Sequence, residues 1–150
     1  MEIELISNGT TETIEIGISL GRLLIQNDIV ALTGELGSGK TYFIKGIAKG
    51  LDIKEEIKSP TYVIIGEYEG RLPLYHFDFY RISSIYELED LDYKGYFYGD
   101  GVTVIEWADK FPDIIPENAF KVNILKAGEE KRRLVIKGND KIIKLSLVAT

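Results

Sequence analysis

Eight consecutive residues, Gly34-Glu35-Leu36-Gly37-Ser38-Gly39-Lys40-Thr41, satisfy the spacing G-x-x-x-x-G-K-[ST] at every constrained position. The chemistry such a segment can do is phosphate binding. Gly34 and Gly39 permit tight turns that bring backbone N–H groups against phosphate oxygens. Lys40 has the reach for β- and γ-phosphates, and the Thr41 hydroxyl can take one position on Mg²⁺. A helix opening here would direct the positive end of its dipole at the anion.

A phosphate loop needs a partner acid for the metal. Two carboxylates close apolar runs: Asp78 after Leu74-Tyr75-His76-Phe77, and Glu106 after Val102-Thr103-Val104-Ile105. Carboxyl ends of strands are where open α/β sheets place ligand chemistry. The pattern leaves open which acid orients Mg²⁺ and which an attacking water, so Thr41, Asp78 and Glu106 are all metal-site candidates. Thr61 compares with switch threonines that sense a γ-phosphate, and equally with an ST-turn residue at a strand start. His76, the only histidine, reads as a satisfied core residue. Arg81 can face a γ-phosphate or pair with a surface acid. Trp107, the only tryptophan, directly follows Glu106 and reads as partly core, with a lid or partner contact as the functional alternative.

The elements that must position these residues follow from hydrophobic periodicity. Asp28 to Thr33 is a short apolar run, as a buried parallel strand should be. Phe43, Ile44, Ile47, Ala48 and Leu51 then recur at helical spacing, with Gly50 placed as a C-cap. Upstream, Glu2 to Ile6 alternates as a strand. Thr11 to Ile25 carries a helical stripe of Ile14, Ile18, Leu20, Leu24 and Ile25, with Gly17 and Gly21 spaced for close packing. Downstream, Lys54 to Lys58 is a charged connector leading through Ser59-Pro60-Thr61-Tyr62 into Val63 to Ile65. A turn at Glu69-Gly70 returns the chain through Leu72 to Phe79. Ser83 to Leu91 is a short acidic helix with a serine N-cap and Glu87 at capping-box distance from Ser84. Tyr93 to Asp100 reads as a loop with buried rings. Ala119 to Leu125 and Arg132 to Lys137 form a hairpin around Gly128, and Ile142 to Val148 alternates as a last strand.

Composition narrows the classes. A chain of 150 residues with 45% hydrophobic and 28% charged content reads as one globular domain, residues 1–150. Without cysteine it has no disulfide or zinc–thiolate site, which suits a cytoplasmic location. No run approaches the roughly 18 apolar residues of a membrane helix. A net charge of −6 speaks against coating nucleic acid by charge alone. Lys131, Arg132 and Arg133 are the densest basic cluster, read as solvated surface on a hairpin arm.

Four blocks together resemble one family: the phosphate loop, Ser59-Pro60-Thr61-Tyr62, His76-Phe77-Asp78-Phe79-Tyr80-Arg81, and Val104-Ile105-Glu106-Trp107-Ala108-Asp109. Their order and spacing resemble the TsaE (YjeE) family, small P-loop ATPases of bacterial tRNA threonylcarbamoyladenosine biosynthesis. The resemblance implies an α/β fold: a P-loop NTPase-like, mostly parallel sheet flanked by helices, with an added antiparallel hairpin and C-terminal strands. It also implies ATP and Mg²⁺ as cofactors, TsaB and TsaD as protein partners, tRNA met only through that complex, and no membrane or DNA partner. By the same resemblance Lys40 and Thr41 bind phosphate and Mg²⁺, and Asp78 joins the Mg²⁺ shell. Thr61 belongs to a switch-like loop, and Glu106 with Trp107 to the hydrolysis-linked site. Tyr62 stands where a phenylalanine is frequent, and the Tyr93–Tyr98 stretch is unusually aromatic.

Two other functions fit a phosphate loop. A small-molecule kinase would carry a lid with several arginines, whereas Arg22, Arg71, Arg81, Arg132 and Arg133 are few and scattered. A GTPase-like switch would need the guanine-reading N-K-x-D, and Asn139-Asp140-Lys141 has the wrong order and spacing.

Overall fold

The computed structural model describes residues 1–58 and 65–147. Ser59, Pro60, Thr61, Tyr62, Val63 and Ile64 lie outside the described residues, as does Val148. In chain order the elements are β1 (Glu2–Ser7), α1 (Thr10–Leu23), β2 (Ile29–Thr33), α2 (Lys40–Gly50), β3 (Ile65–Tyr68), β4 (Leu74–Asp78), α3 (Ile85–Asp90), α4 (Tyr93–Phe97), β5 (Val102–Glu106), β6 (Phe120–Lys126) and β7 (Arg132–Lys137). Short 3₁₀ turns at Ala108–Lys110 and Pro112–Ile114 precede β6, and a longer 3₁₀ helix, Asp140–Leu147, follows β7.

The strands form one seven-stranded sheet in the order β1-β7-β6-β2-β5-β4-β3. The middle four, β6-β2-β5-β4, run parallel, and β3, β7 and β1 add antiparallel edges. Alternation along the strands divides the core. Val30, Leu32, Val102 and Val104 face α1 and α2, whereas Ile29, Ala31, Phe77 and Ile105 face α3, α4 and the short 3₁₀ turns. Leu74, His76 and Asp78 share one parity, as do Val102, Val104 and Glu106. Both strand-end acids therefore belong to the face that α2 covers.

Helices α1 and α2 meet along glycines. A Cβ on Gly17 would lie 2.4 Å from the Phe43 carbonyl oxygen, and one on Gly46 would lie 2.2 Å from that of Ile14. Gly21 and Gly50 repeat the arrangement one turn on. The buried face of α1 is accordingly Thr13, Ile16, Gly17, Leu20 and Gly21. It is rotated from the expected stripe: Ile14 and Ile18 are half-buried and Ile25 is 60% exposed. Gly50 serves this seam instead of the C-cap, which is Leu51, and the left-handed residue beyond the helix is Asp52.

Two further expectations change. The aromatic stretch after Asp92 holds a helical turn, α4, whose Tyr93 and Phe97 rings meet four residues apart at 5.2 Å. The segment expected as a last strand is 3₁₀ as far as Leu147, with Ile142 and Leu145 buried three residues apart against the core. Other boundaries agree within a residue or two, except that the run expected from Val63 to Ile65 falls within the described residues only at Ile65, where β3 begins and continues to Tyr68. Ser84 caps α3 by accepting from the Tyr86 N–H at 3.2 Å, while Glu87 accepts from the Ser83 N–H at 3.0 Å. No described helix is long and apolar enough to cross a membrane.

Candidate nucleotide site

Central strand β2 ends at Thr33 and hands the chain to the glycine loop. Gly34, Gly37 and Gly39 hold φ values of +147°, +77° and +102°, conformations that side chains resist and glycine adopts freely. Gly39 is the left-handed residue from which α2 starts at Lys40. The Lys40 side chain folds back over its own loop. Its Nζ donates to the Gly34 carbonyl and, at 3.1 Å, to that of Glu35. It also sits 4.0 Å from the centroid of the Trp107 ring, a cation–π contact. Only 6% of Lys40 is exposed. Burial pushes its ammonium below the usual lysine range, against the opposing pull of Glu106, Asp109, Asp78 and Glu35.

Asp78 and Glu106 are direct cross-strand neighbours in the β4–β5 register, so the topology sets the two acids side by side. Glu106 is 7% exposed, and its Oε2 accepts a hydrogen bond from His76 Nε2 at 2.9 Å. An ionised carboxylate has no proton to give, so Nε2 carries the hydrogen. Asp78 Oδ1 accepts from the Tyr80 N–H at 3.0 Å. Burial pushes the Asp78 carboxyl above its usual range; the Tyr80 N–H works against this and Glu106 adds to it. Trp107 then turns with φ 57° and ψ 40°, a left-handed backbone that costs a non-glycine residue about 1–2 kcal/mol. Its ring lies 5.0 Å from that of Tyr80, tilted by 44°, as well as under Lys40.

These groups line one cleft of about 460 Å³ with residues Leu36 to Tyr42, Arg81, the start of α1 (Thr10, Thr13) and the β6–β7 turn (Glu129, Glu130, Arg132). That volume lies within the range of small-molecule sites. The structure thus brings together the loop, Asp78, Glu106 and Trp107, while Thr61 lies outside the described residues. The fit to a magnesium nucleotide rests on two features. Ser38 Oγ is buried with no hydrogen-bond partner among the described residues. Lys40 is buried at the loop, where its ammonium can meet phosphate oxygens.

His76 is the buried strand residue that its position predicts, 2% exposed, and its Nε2 meets Glu106 Oε2 at 2.9 Å, a contact that its parity with Asp78, two residues on, could have signalled. Arg132 was read as solvated surface, yet its guanidinium donates to the Ser38 carbonyl at 3.0 Å and the Gly37 carbonyl at 3.2 Å. Its neighbour Arg133 pairs instead with Glu4 at 3.5 Å, so the basic cluster is divided between two contacts. No periodicity could have signalled a bridge spanning 94 residues.

A family model described as threonylcarbamoyl adenosine biosynthesis protein TsaE matches residues 7–134. The chain belongs to the TsaE family. A TsaE from Treponema pallidum is 38% identical over 131 residues, covering 87% of this chain and 97% of that one. One from Bacillus subtilis is 44% identical over 108 residues, covering 71% and 67%. Both are named tRNA threonylcarbamoyladenosine biosynthesis proteins. The crystal structure of Bacillus subtilis YdiB superposes with a TM-score of 0.77 at 30% identity, over 98% of this chain and 93% of that one. Membership in the TsaE family carries the P-loop NTPase-like α/β fold with it.

Proposed function

We propose that this chain is a single cytoplasmic P-loop ATPase domain that binds Mg·ATP and hydrolyses it to ADP and phosphate. Its output is a reset or licensing of the TsaB–TsaD complex between turnovers of tRNA threonylcarbamoyladenosine formation. One observation carries the ATPase reading: the buried Lys40 ammonium sits in a glycine loop facing two carboxylates that the strand register makes neighbours.

Catalysis in such a site is positioning plus electrostatics. Loop N–H groups and Lys40 oppose the charge on the β- and γ-phosphate oxygens. Thr41 and Asp78 would hold Mg²⁺, which would supply further positive charge against the phosphate oxygens. Glu106, its Oε2 held by His76, orients the attacking water and accepts its proton as the γ-phosphorus bond to the bridging oxygen breaks. Trp107 shields Lys40 from solvent, and Thr61 serves the switch-like loop. Two of the five arginines are committed elsewhere, Arg71 capping α1 through the Gly21 and Leu24 carbonyls at 2.9 and 3.2 Å and Arg133 pairing with Glu4, while Arg81 and Arg132 line the cleft.

Steady-state Mg·ATP hydrolysis by the chain alone, then with purified TsaB–TsaD, tests this. Slow turnover alone with clear stimulation by the pair is expected. Absence of both nucleotide binding and stimulation would overturn it and call for a metabolite phosphorylation screen.

A further inference from the structure

Arg132 opens β7, yet its guanidinium holds two loops at once. Toward the hairpin turn it donates to the carbonyls of Gly128, Glu129 and Lys131 at 3.3, 3.2 and 2.9 Å. Toward the phosphate loop it donates to two successive carbonyls, Ser38 and Gly37. In a trans peptide the carbonyl of one residue and the N–H of the next point in opposite directions. Fixing the Gly37 and Ser38 carbonyls therefore fixes the N–H groups of Ser38 and Gly39. The Ser38 N–H closes a turn onto the Glu35 carbonyl at 3.1 Å, and the Gly39 N–H is held to the side away from the guanidinium. These peptides flank Gly37 and Gly39, which lack the side chain that would restrict them. Between them Ser38 Oγ is 99% buried by residue exposure and has no partner among the described residues.

We propose that Arg132 is a positioning residue for phosphate binding: its fork pins the Gly37 and Ser38 carbonyls, which keeps the Ser38 N–H in its turn onto Glu35 and presets the Gly39 N–H on the side away from the fork, and the β6–β7 turn anchors the fork. This rests on the nucleotide reading above. It assigns the hairpin a part in the site that neither its sequence nor its position in the sheet suggests.

The test compares Arg132→Lys and Arg132→Met with Arg133→Met, by calorimetric Mg·ADP binding and by amide hydrogen exchange of the nucleotide-free protein. Both Arg132 variants should weaken binding about tenfold or more, as loss of charge-assisted hydrogen bonds predicts. Lysine should fail to rescue, because it keeps the charge without the planar fork. Exchange should accelerate at Ser38 and Gly39 while β6 and β7 stay protected, and Arg133→Met should match wild type in both measurements. Wild-type binding by Arg132→Lys would reduce the role to charge and overturn the proposal. So would unchanged exchange at Ser38 and Gly39, or loss of protection throughout β6–β7, which marks a mere hairpin staple. If Arg132→Met does not fold, the lysine variant carries both readouts. A wild-type chain that binds no Mg·ADP overturns the nucleotide reading instead, and exchange in the free protein still decides whether Arg132 holds the loop.

Discussion

Substituting Gly46 with alanine probes the seam that sets α2, and with it Lys40, against α1. In an open helix this change stabilises, since glycine is about 0.8–1.0 kcal/mol worse than alanine in a helix interior. Here the new methyl would lie 2.2 Å from the Ile14 carbonyl oxygen, 2.9 Å from Gly17 Cα and 3.0 Å from the Ile14 carbonyl carbon. Ordinary contact begins at 3.4 Å, so the shortest approach falls 1.2 Å below it. All three neighbours are backbone, so no rotamer change relieves the clash and the helices must part. Overpacking of this kind costs about 1–3 kcal/mol, and opening a gap near 1 Å forfeits up to about half of each dispersion contact along the seam. We expect a net loss of about 2–3 kcal/mol, lowering the melting temperature by roughly 4–12 °C for a chain this size. Urea unfolding at constant m-value measures it, with exposed Lys49→Ala as a near-neutral control. Because Gly17 faces Gly46, a Gly17→Ala/Gly46→Ala pair should cost less than the two singles together. Stability equal to or above wild type in Gly46→Ala would refute the close-packed seam.

Three more predictions concern the site. Lys40→Ala should abolish Mg·ATP binding in calorimetry; tight binding by that variant would remove the loop from the site. Glu106→Gln should lower steady-state turnover by about 10²-fold or more, the scale of a lost general base, with nucleotide affinity nearly unchanged; retained turnover would count against the water-orienting role. Burial holds the Asp78 carboxyl above its usual range, so just above the ordinary aspartate pKa the native state keeps a proton that the unfolded chain has lost. Stability therefore falls as pH rises through the window, and the ionised carboxylate is a standing cost at neutral pH. Asp78→Asn should melt higher than wild type at about pH 7, with the gain fading toward about pH 4, while turnover collapses; a lower melting point at pH 7 would contradict the burial argument.

The loop, β2 and α2 were legible because glycine spacing and an apolar run are local signals. Asp78 and Glu106 were found as strand ends, but their adjacency needed the register of β4 on β5. The last strand was misread because Ile142 and Leu145 fit a three-residue period once Ile143 is allowed outside, where it is 55% exposed. The α1 stripe was rotated because at Ile14 and Ile18 it is the backbone oxygens that meet α2. Side-chain hydrophobicity carries no trace of that. Arg132 was misassigned for a related reason: its partners are carbonyls, which every residue has.

The position of β2 also dictates when a site can exist during synthesis. Its two hydrogen-bonding neighbours, β5 and β6, both come later in the chain, and β6 ends at Lys126. The phosphate loop, finished by Thr41, must wait on the ribosome for the second of them. At about 5–20 residues per second that is a delay of several seconds. Until β5 is complete at Glu106 the Ile29–Leu32 run has no strand to pair with, and until β6 follows it is an open edge. The nascent chain is exposed to aggregation or chaperone capture in that interval.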